Sequence, residues 1–196
     1  MTTTSLFPDD EYEQTSFEKI REHNLSLADK TFSSCVFTGC DMSGCDFSSS
    51  LLENCEFIEC NLSSVLLNNT RMPKVSFTGS KIMGVNFANA EPFAMTLSFT
   101  GCAIDSCNFC DMKLKKTIFS ECELIATDFL RADLTEADFS GSSFRDVGFE
   151  NTTLAKSDFT DAHGYVINPM SNNVRKAKFS LPDAVIMLEQ MSIIIK

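Results

Sequence analysis

The sequence predicts an all-β solenoid whose coils have four sides, and three observations carry that expectation. From Phe99 to Phe159 every fifth residue is large and apolar: Phe99, Ile104, Phe109, Leu114, Phe119, Leu124, Phe129, Leu134, Phe139, Phe144, Phe149, Leu154 and Phe159. Two residues before each of these centres stands a smaller one, such as Cys102, Cys107, Cys122, Thr127, Ala132 or Ser142. The same spacing already runs from Leu27 through Phe37, Phe57 and Phe77 to Phe87. Five residues of α-helix turn through roughly 500°, so the centres would drift around a helix axis. In a plain strand an odd step sends each centre to the opposite face. A chain that turns about a right angle after every five residues closes a coil in twenty, and stacked coils bury every centre while pairing the backbone in parallel.

Taken in order, residues 1–26 obey the pattern only in part. Tyr12 and Phe17 are in register, but Glu22 occupies a centre, so the segment is expected to act as an N-terminal cap over the first coil. Residues 27–87 form the first block, with Ser, Thr, Gly, Asn and Asp at outward and corner positions as turns require. Residues 88–98 break the register: Phe87 and Phe99 are twelve residues apart where ten would keep phase, and the two extra residues fall near Glu91-Pro92-Phe93. The break reads either as a tolerated bulge or as a short loop presenting Phe93 and Met95 to a partner. Residues 99–163 form the second block, with stacks expected for Phe99, Phe119, Phe139 and Phe159 and for Phe109, Phe129 and Phe149.

After Asp161 the pattern is expected to stop. Residues 164–196 read as a C-terminal cap: a strand at 165–167, a turn at 168–173, a strand at 174–179 and a helix near 181–191 with Ser180 as its N-cap. Ala184, Val185, Leu188 and Met191 share one helical face. With Ile193 and Ile195 they make an apolar end that either caps the last coil or joins two copies in a homodimer.

Composition narrows the function classes. Of the nine cysteines, eight occupy the small inward position, where a free thiol packs as a compact apolar group; core packing is therefore expected rather than metal or disulfides. Only Cys110 lies outside that register. Histidine occurs twice, as His23 and His163, and neither a glycine-rich phosphate loop nor a nucleophile motif is present, so no enzyme, no catalytic residue and no cofactor are expected. Asp133 and Asp138 could be paired as acid and base, but they read more simply as solvated repeat residues. The chain lacks a basic start before an apolar run and lacks an apolar stretch of ~20 residues, which favours a cytoplasmic protein. Its formal charge is −11, and residues 91–163 hold 13 acidic against 6 basic side chains. That balance argues against direct binding to nucleic acid or to a membrane.

Runs such as Ala132-Asp133-Leu134-Thr135-Glu136 and Ala137-Asp138-Phe139-Ser140-Gly141 resemble the repeat of pentapeptide repeat proteins. The resemblance implies a right-handed quadrilateral β-helix. It also suggests likeness to members that bind DNA gyrase: the Qnr quinolone-resistance proteins, the mycobacterial fluoroquinolone-resistance protein and microcin-immunity proteins. The ending, through Ile167-Asn168-Pro169 to Leu188-Glu189-Gln190-Met191, is similar to the microcin-immunity type and implies end-to-end dimerisation. The function so implied is mimicry of DNA toward gyrase or topoisomerase IV, with Glu121, Glu123, Asp128, Asp133, Asp138 and Asp158 set against a basic saddle. Charge alone is short of that role: residues 27–163 carry −9 along ~31 Å of axis, where duplex DNA carries roughly 18. The other class is a non-enzymatic interaction scaffold or adaptor without a topoisomerase partner.

Overall fold

Tyr12 pairs with Phe32, Phe37 with Phe57, and Ile104 with Leu124, always in parallel and always twenty residues apart. The computed structural model describes residues 6–194. They form a β-solenoid of about 8 turns in which all sheets are parallel, ending in one short helix. Each coil bonds to both neighbours: Asp46 N–H donates to Leu25 O at 2.8 Å and Phe47 N–H to Leu66 O at 2.9 Å. Paired backbone on both sides removes the edge-strand problem except at the two ends and beside the register break, where among the described residues Lys113 N–H reaches no backbone carbonyl.

Four walls follow from the register. Wall 1 carries the centres Phe17, Phe37, Phe57, Phe77, Phe99, Phe119, Phe139, Phe159 and Phe179. Wall 2 carries Ile82, Ile104, Leu124 and Phe144, wall 3 carries Phe47, Phe87, Phe109, Phe129 and Phe149, and wall 4 carries Phe32, Leu52, Leu114, Leu134 and Leu154. The corner residue two after each centre adopts a left-handed backbone, for example Gly101 at φ 61° and Lys116 at φ 61°. That conformation disfavours a Cβ, which explains glycine at some corners, but most corners here hold other residues. The residue after it then turns inward, and several of these N–H groups bond back to the preceding centre, as Ala137 does to Leu134 O at 3.0 Å.

The expected ladders are present and join across the register break. On wall 1 the rings stack from Phe17 to Phe179 with centroid spacings of 4.7–5.3 Å. Phe87 stacks on Phe109 at 4.6 Å on wall 3, and neighbouring walls meet edge to face, as Phe99 and Phe109 do at 84°. The two inserted residues are thus absorbed outside the aromatic stacks. Phe77 still pairs with Phe99, and the surplus is taken up by a 3-10 turn at Phe87–Asn89 and an outward loop in which Phe93 is 82% exposed. Met95 instead leans against the core.

Both ends differ from the sequence reading. Strands Glu11–Glu13 and Ser16–Glu18 pair with Thr31–Ser33 and Val36–Thr38, so residues 11–26 are the first coil rather than a cap. Phe7 does the capping, buried against Tyr12, Phe17 and Phe32. Glu22 is exposed, because wall 2 of an end coil has a neighbour on one side only. At the other end the pattern does not stop at Asp161. Asn172 fills a small inward position, Lys178 and Phe179 pair with Asp158 and Phe159, and Phe179 stacks on Phe159 at 5.1 Å. No strand forms at 165–167, since Tyr165 and Ile167 both turn inward at a corner, and the strand expected at 174–179 shrinks to Lys178–Phe179.

The helix is also shorter than expected: a 3-10 turn Asp183–Val185 leads into Ile186–Gln190. Ser180 does not cap it, because its hydroxyl accepts from Asp161 N–H at 3.0 Å and thereby ties the last coil. Ile186 makes the core contact. Ala184 and Val185 are half-buried, whereas Leu188, Met191 and Ile193 are exposed, and Ile195 lies outside the described residues.

Candidate partner-binding surface

The interior is filled by side chains, so the outward positions carry whatever the protein recognises. Residues five apart in this chain lie on successive walls. Glu123 pairs in register with Ala103 and Ser143 on wall 2, Asp128 with Asn108 and Gly148 on wall 3, Asp133 with Lys113 and Thr153 on wall 4, and Asp138 with Ile118 and Asp158 on wall 1. Glu121 sits at the corner between walls 1 and 2. Of the six acids proposed from sequence, only Asp138 and Asp158 therefore share a wall. The other four encircle the rod.

Three of the six are engaged locally. Asp133, Asp138 and Asp158 each accept the N–H of the residue two further on, at 3.1, 2.9 and 3.0 Å, and so fix the turn. Asp133 also faces Lys115 at 3.3 Å and Asp158 faces Lys178 at 2.7 Å. Partial burial works to raise the Asp133 carboxyl. Bonds from the Thr135 hydroxyl and N–H, with the Lys115 ammonium, outweigh that and hold it below the usual carboxylate range. Burial is likewise outweighed at Asp158, where Lys178 and Thr160 lower the carboxyl.

The register sorts the remaining charges into two sectors. On walls 2 and 3 and the corners bounding wall 2, the second block places Asp105, Glu121, Glu123, Asp128, Asp146, Glu150 and Asp161 against the single base Arg145. Among the described residues none of these acids is in an ion pair. Wall 4 and its corners collect the bases Lys113, Lys115, Lys116, Arg131 and Lys156, continued by Arg175 and Lys176. The acids there are neutralised: Asp111 holds Arg131 at 2.6 and 2.7 Å, and Glu136 lies 2.7 Å from Lys156 and 3.6 Å from Lys116. The acidic sector thus carries a net of six charges over about three coils, ~14 Å, where duplex DNA has roughly eight. Asp105, Asp146, Glu150 and Asp161 were missed in sequence because they must be read in steps of twenty.

The small inward positions hold a further network. Thr152 Oγ1 donates to Phe129 O at 2.8 Å, and Cys55 and Cys60 thiols point at the carbonyls of Phe32 and Phe37 at 3.3 Å. Burial pushes the thiols of Cys55 and Cys60 up, to about 12 and about 11. His23 is exposed, and its Nδ1 faces both Ser43 Oγ at 2.9 Å and Asp41 Oδ1 at 3.4 Å. One nitrogen serving both groups cannot pass a proton between them, so this trio anchors a turn.

Comparison with known proteins agrees with this construction. The model of the pentapeptide repeat region matches residues 30–105 and 50–129, together just over half of the chain. The chain belongs to the pentapeptide repeat family. Two solved structures of trypsin-treated variants of QnrB1, a plasmid-mediated fluoroquinolone resistance protein, share this pentapeptide repeat fold. Each superposes with a TM-score of 0.81, at 19% and 18% identity. Each covers 95% of this chain, and 97% and 98% of the QnrB1 chain are covered in turn. No curated protein sequence matches the chain.

Proposed function

We propose that this pentapeptide repeat protein binds a type II topoisomerase, DNA gyrase or topoisomerase IV, in the place of DNA, and so modulates or prevents its inhibition. The observation that carries the reading is the one-sided acidic sector on walls 2 and 3, whose six net charges approach the linear density of DNA. The whole rod has only half that density; sorting by wall supplies the rest. The fold shared with QnrB1, a fluoroquinolone resistance protein, supports the same reading. The exposed apolar residues Leu181, Leu188, Met191, Ile193 and Ile194 at the last coil favour a homodimer joined through that end, which doubles the length of the acidic sector.

The test is inhibition of gyrase supercoiling by the purified protein across a salt series. Inhibition is expected to weaken as salt rises, and the combined change Glu121→Gln, Glu123→Gln and Asp128→Asn should weaken it by roughly tenfold or more. Asp133→Asn, on the opposite wall, should leave it unchanged. Failure to bind gyrase at low salt would exclude the topoisomerase reading and leave the interaction scaffold.

A further inference from the structure

The loop at the register break is tied to one coil and leaves the next. Glu91 N–H donates to Thr70 O at 2.9 Å and Thr96 N–H to Met72 O at 3.3 Å, so both ends of the loop bond back to the preceding coil. Among the described residues no such bond runs on to Lys113, whose N–H reaches no backbone carbonyl. A depression of 640 Å³ lies between the loop and residues 110–113, at the corner of walls 3 and 4. Pockets for small molecules commonly measure roughly 300–1,000 Å³.

Its lining is mostly apolar and carries charge of both signs. Ala90, Pro92, Phe93 and Met95 come from the loop, and Cys110 and Met112 from the coil beyond it. Phe93 presents its ring to solvent, and the flexible thioethers of Met95 and Met112 can adapt to an aromatic face. Glu91, Asp111 and Lys113 stand among these groups. Asp111 is already engaged, holding Arg131 at 2.6 and 2.7 Å. Glu91 and Lys113 are not: among the described residues neither forms an ion pair, with the other or with any third group. The Glu91 carboxylate accepts Phe93 N–H at 3.3 Å, which fixes the acid to the same turn as the exposed ring. A ligand of one sign would meet its own charge at Glu91 or at Lys113. A ligand with both charges on a flat apolar body satisfies the two at once.

We propose that the depression at the register break binds a small aromatic zwitterion, of the kind represented by a free aromatic amino acid. Its ring lies against Phe93, Met95 and Met112. Its ammonium group faces Glu91, and its carboxylate faces the Lys113 ammonium and the free Lys113 N–H. The site does not rest on topoisomerase binding, since it uses none of the acids assigned to that surface.

The chain contains no tryptophan, so indole fluorescence reports the ligand alone. The probes are L-tryptophan, tryptamine, which keeps only the ammonium, and 3-indolepropionate, which keeps only the carboxylate, each followed as the full chain is titrated in at low salt. Tryptophan is expected to bind roughly threefold or more tighter than either analogue. Lys113→Gln should weaken tryptophan and 3-indolepropionate while leaving tryptamine unchanged. Glu91→Gln, which keeps an acceptor for Phe93 N–H, should weaken tryptophan and tryptamine but not 3-indolepropionate. Phe93→Ala should weaken all three. Absence of tryptophan binding would overturn the proposal. Equal binding of the three probes, or charge changes that move all three alike, would do so too, by marking a plain apolar patch.

Discussion

The residue two before each centre does more than fill space. Ser80 Oγ accepts from Cys60 N–H at 3.0 Å and donates to Phe57 O at 3.1 Å, so one hydroxyl satisfies two buried backbone groups of the preceding coil. Ser142 does the same for Cys122 N–H and Phe119 O, and Asn172 for Thr152 N–H and Phe149 O. In sequence these positions read only as small, because Cys, Ser, Thr and Ala alternate there without an obvious rule. The partner carbonyl lies 23 residues earlier, a separation that has meaning only once coils are stacked. Removing the hydroxyl strands both groups away from water. Ser142→Ala is therefore expected to destabilise the protein by about 1–3 kcal/mol in denaturant unfolding. Ala132→Ser, at a position where alanine already serves, should change stability far less.

At the scale of the five-residue element, corner and wall have different tolerances. Gly101 and Gly164 both adopt a left-handed backbone, at φ 61° and 78°. A Cβ at Gly101 would meet nothing, so Gly101→Ala tests backbone strain alone and should cost about 1–2 kcal/mol. A Cβ at Gly164 would strike the Phe144 carbonyl oxygen, so Gly164→Ala should cost clearly more, measured as the difference in unfolding free energy between the two variants. The register break was legible because proline cannot join a ladder, and Glu91-Pro92-Phe93 does lie in the loop. Its consequence was not. The sequence shows that two residues are extra, but only the pairing shows that walls 1, 2 and 3 close over them, while on wall 4 the loop bonds back to the preceding coil, through Glu91 N–H to Thr70 O and Thr96 N–H to Met72 O, and not on to Lys113. The ends were misread for a related reason. A terminal coil needs satisfying on one face only, so Glu22 at the first coil and Pro169 near the last relax the pattern without ending the fold.

Across the whole molecule, charge placement decides what each sector can do. Asp133 and Asp158 are held below the usual carboxylate range in the folded protein, whereas the unfolded chain has ordinary values of about 3.9. As pH falls the unfolded state binds protons first, so their contribution is complete above about pH 4 and is lost as pH drops through the folded values. Asp133→Asn with Asp158→Asn keeps a turn acceptor but removes the titration, and should flatten the fall in melting temperature between about pH 5 and pH 3. At the C-terminal end, where Leu188 and Ile193 are exposed in the single chain, Leu188→Glu with Ile193→Glu should convert the proposed dimer to monomer in sedimentation and remove the rise of melting temperature with protein concentration that a dimer gives. The sequence by itself determined the interior: a large residue every fifth position can be buried in only one way, and that requirement dictates coil, wall and ladder. It did not determine the surface. Outward residues are free of that constraint, and neighbours in sequence are dispersed around the rod while residues twenty apart are brought together. Which acids are neutralised, which stand open on one side, and where a strand edge is left unpaired were decided only by the stacking of coils.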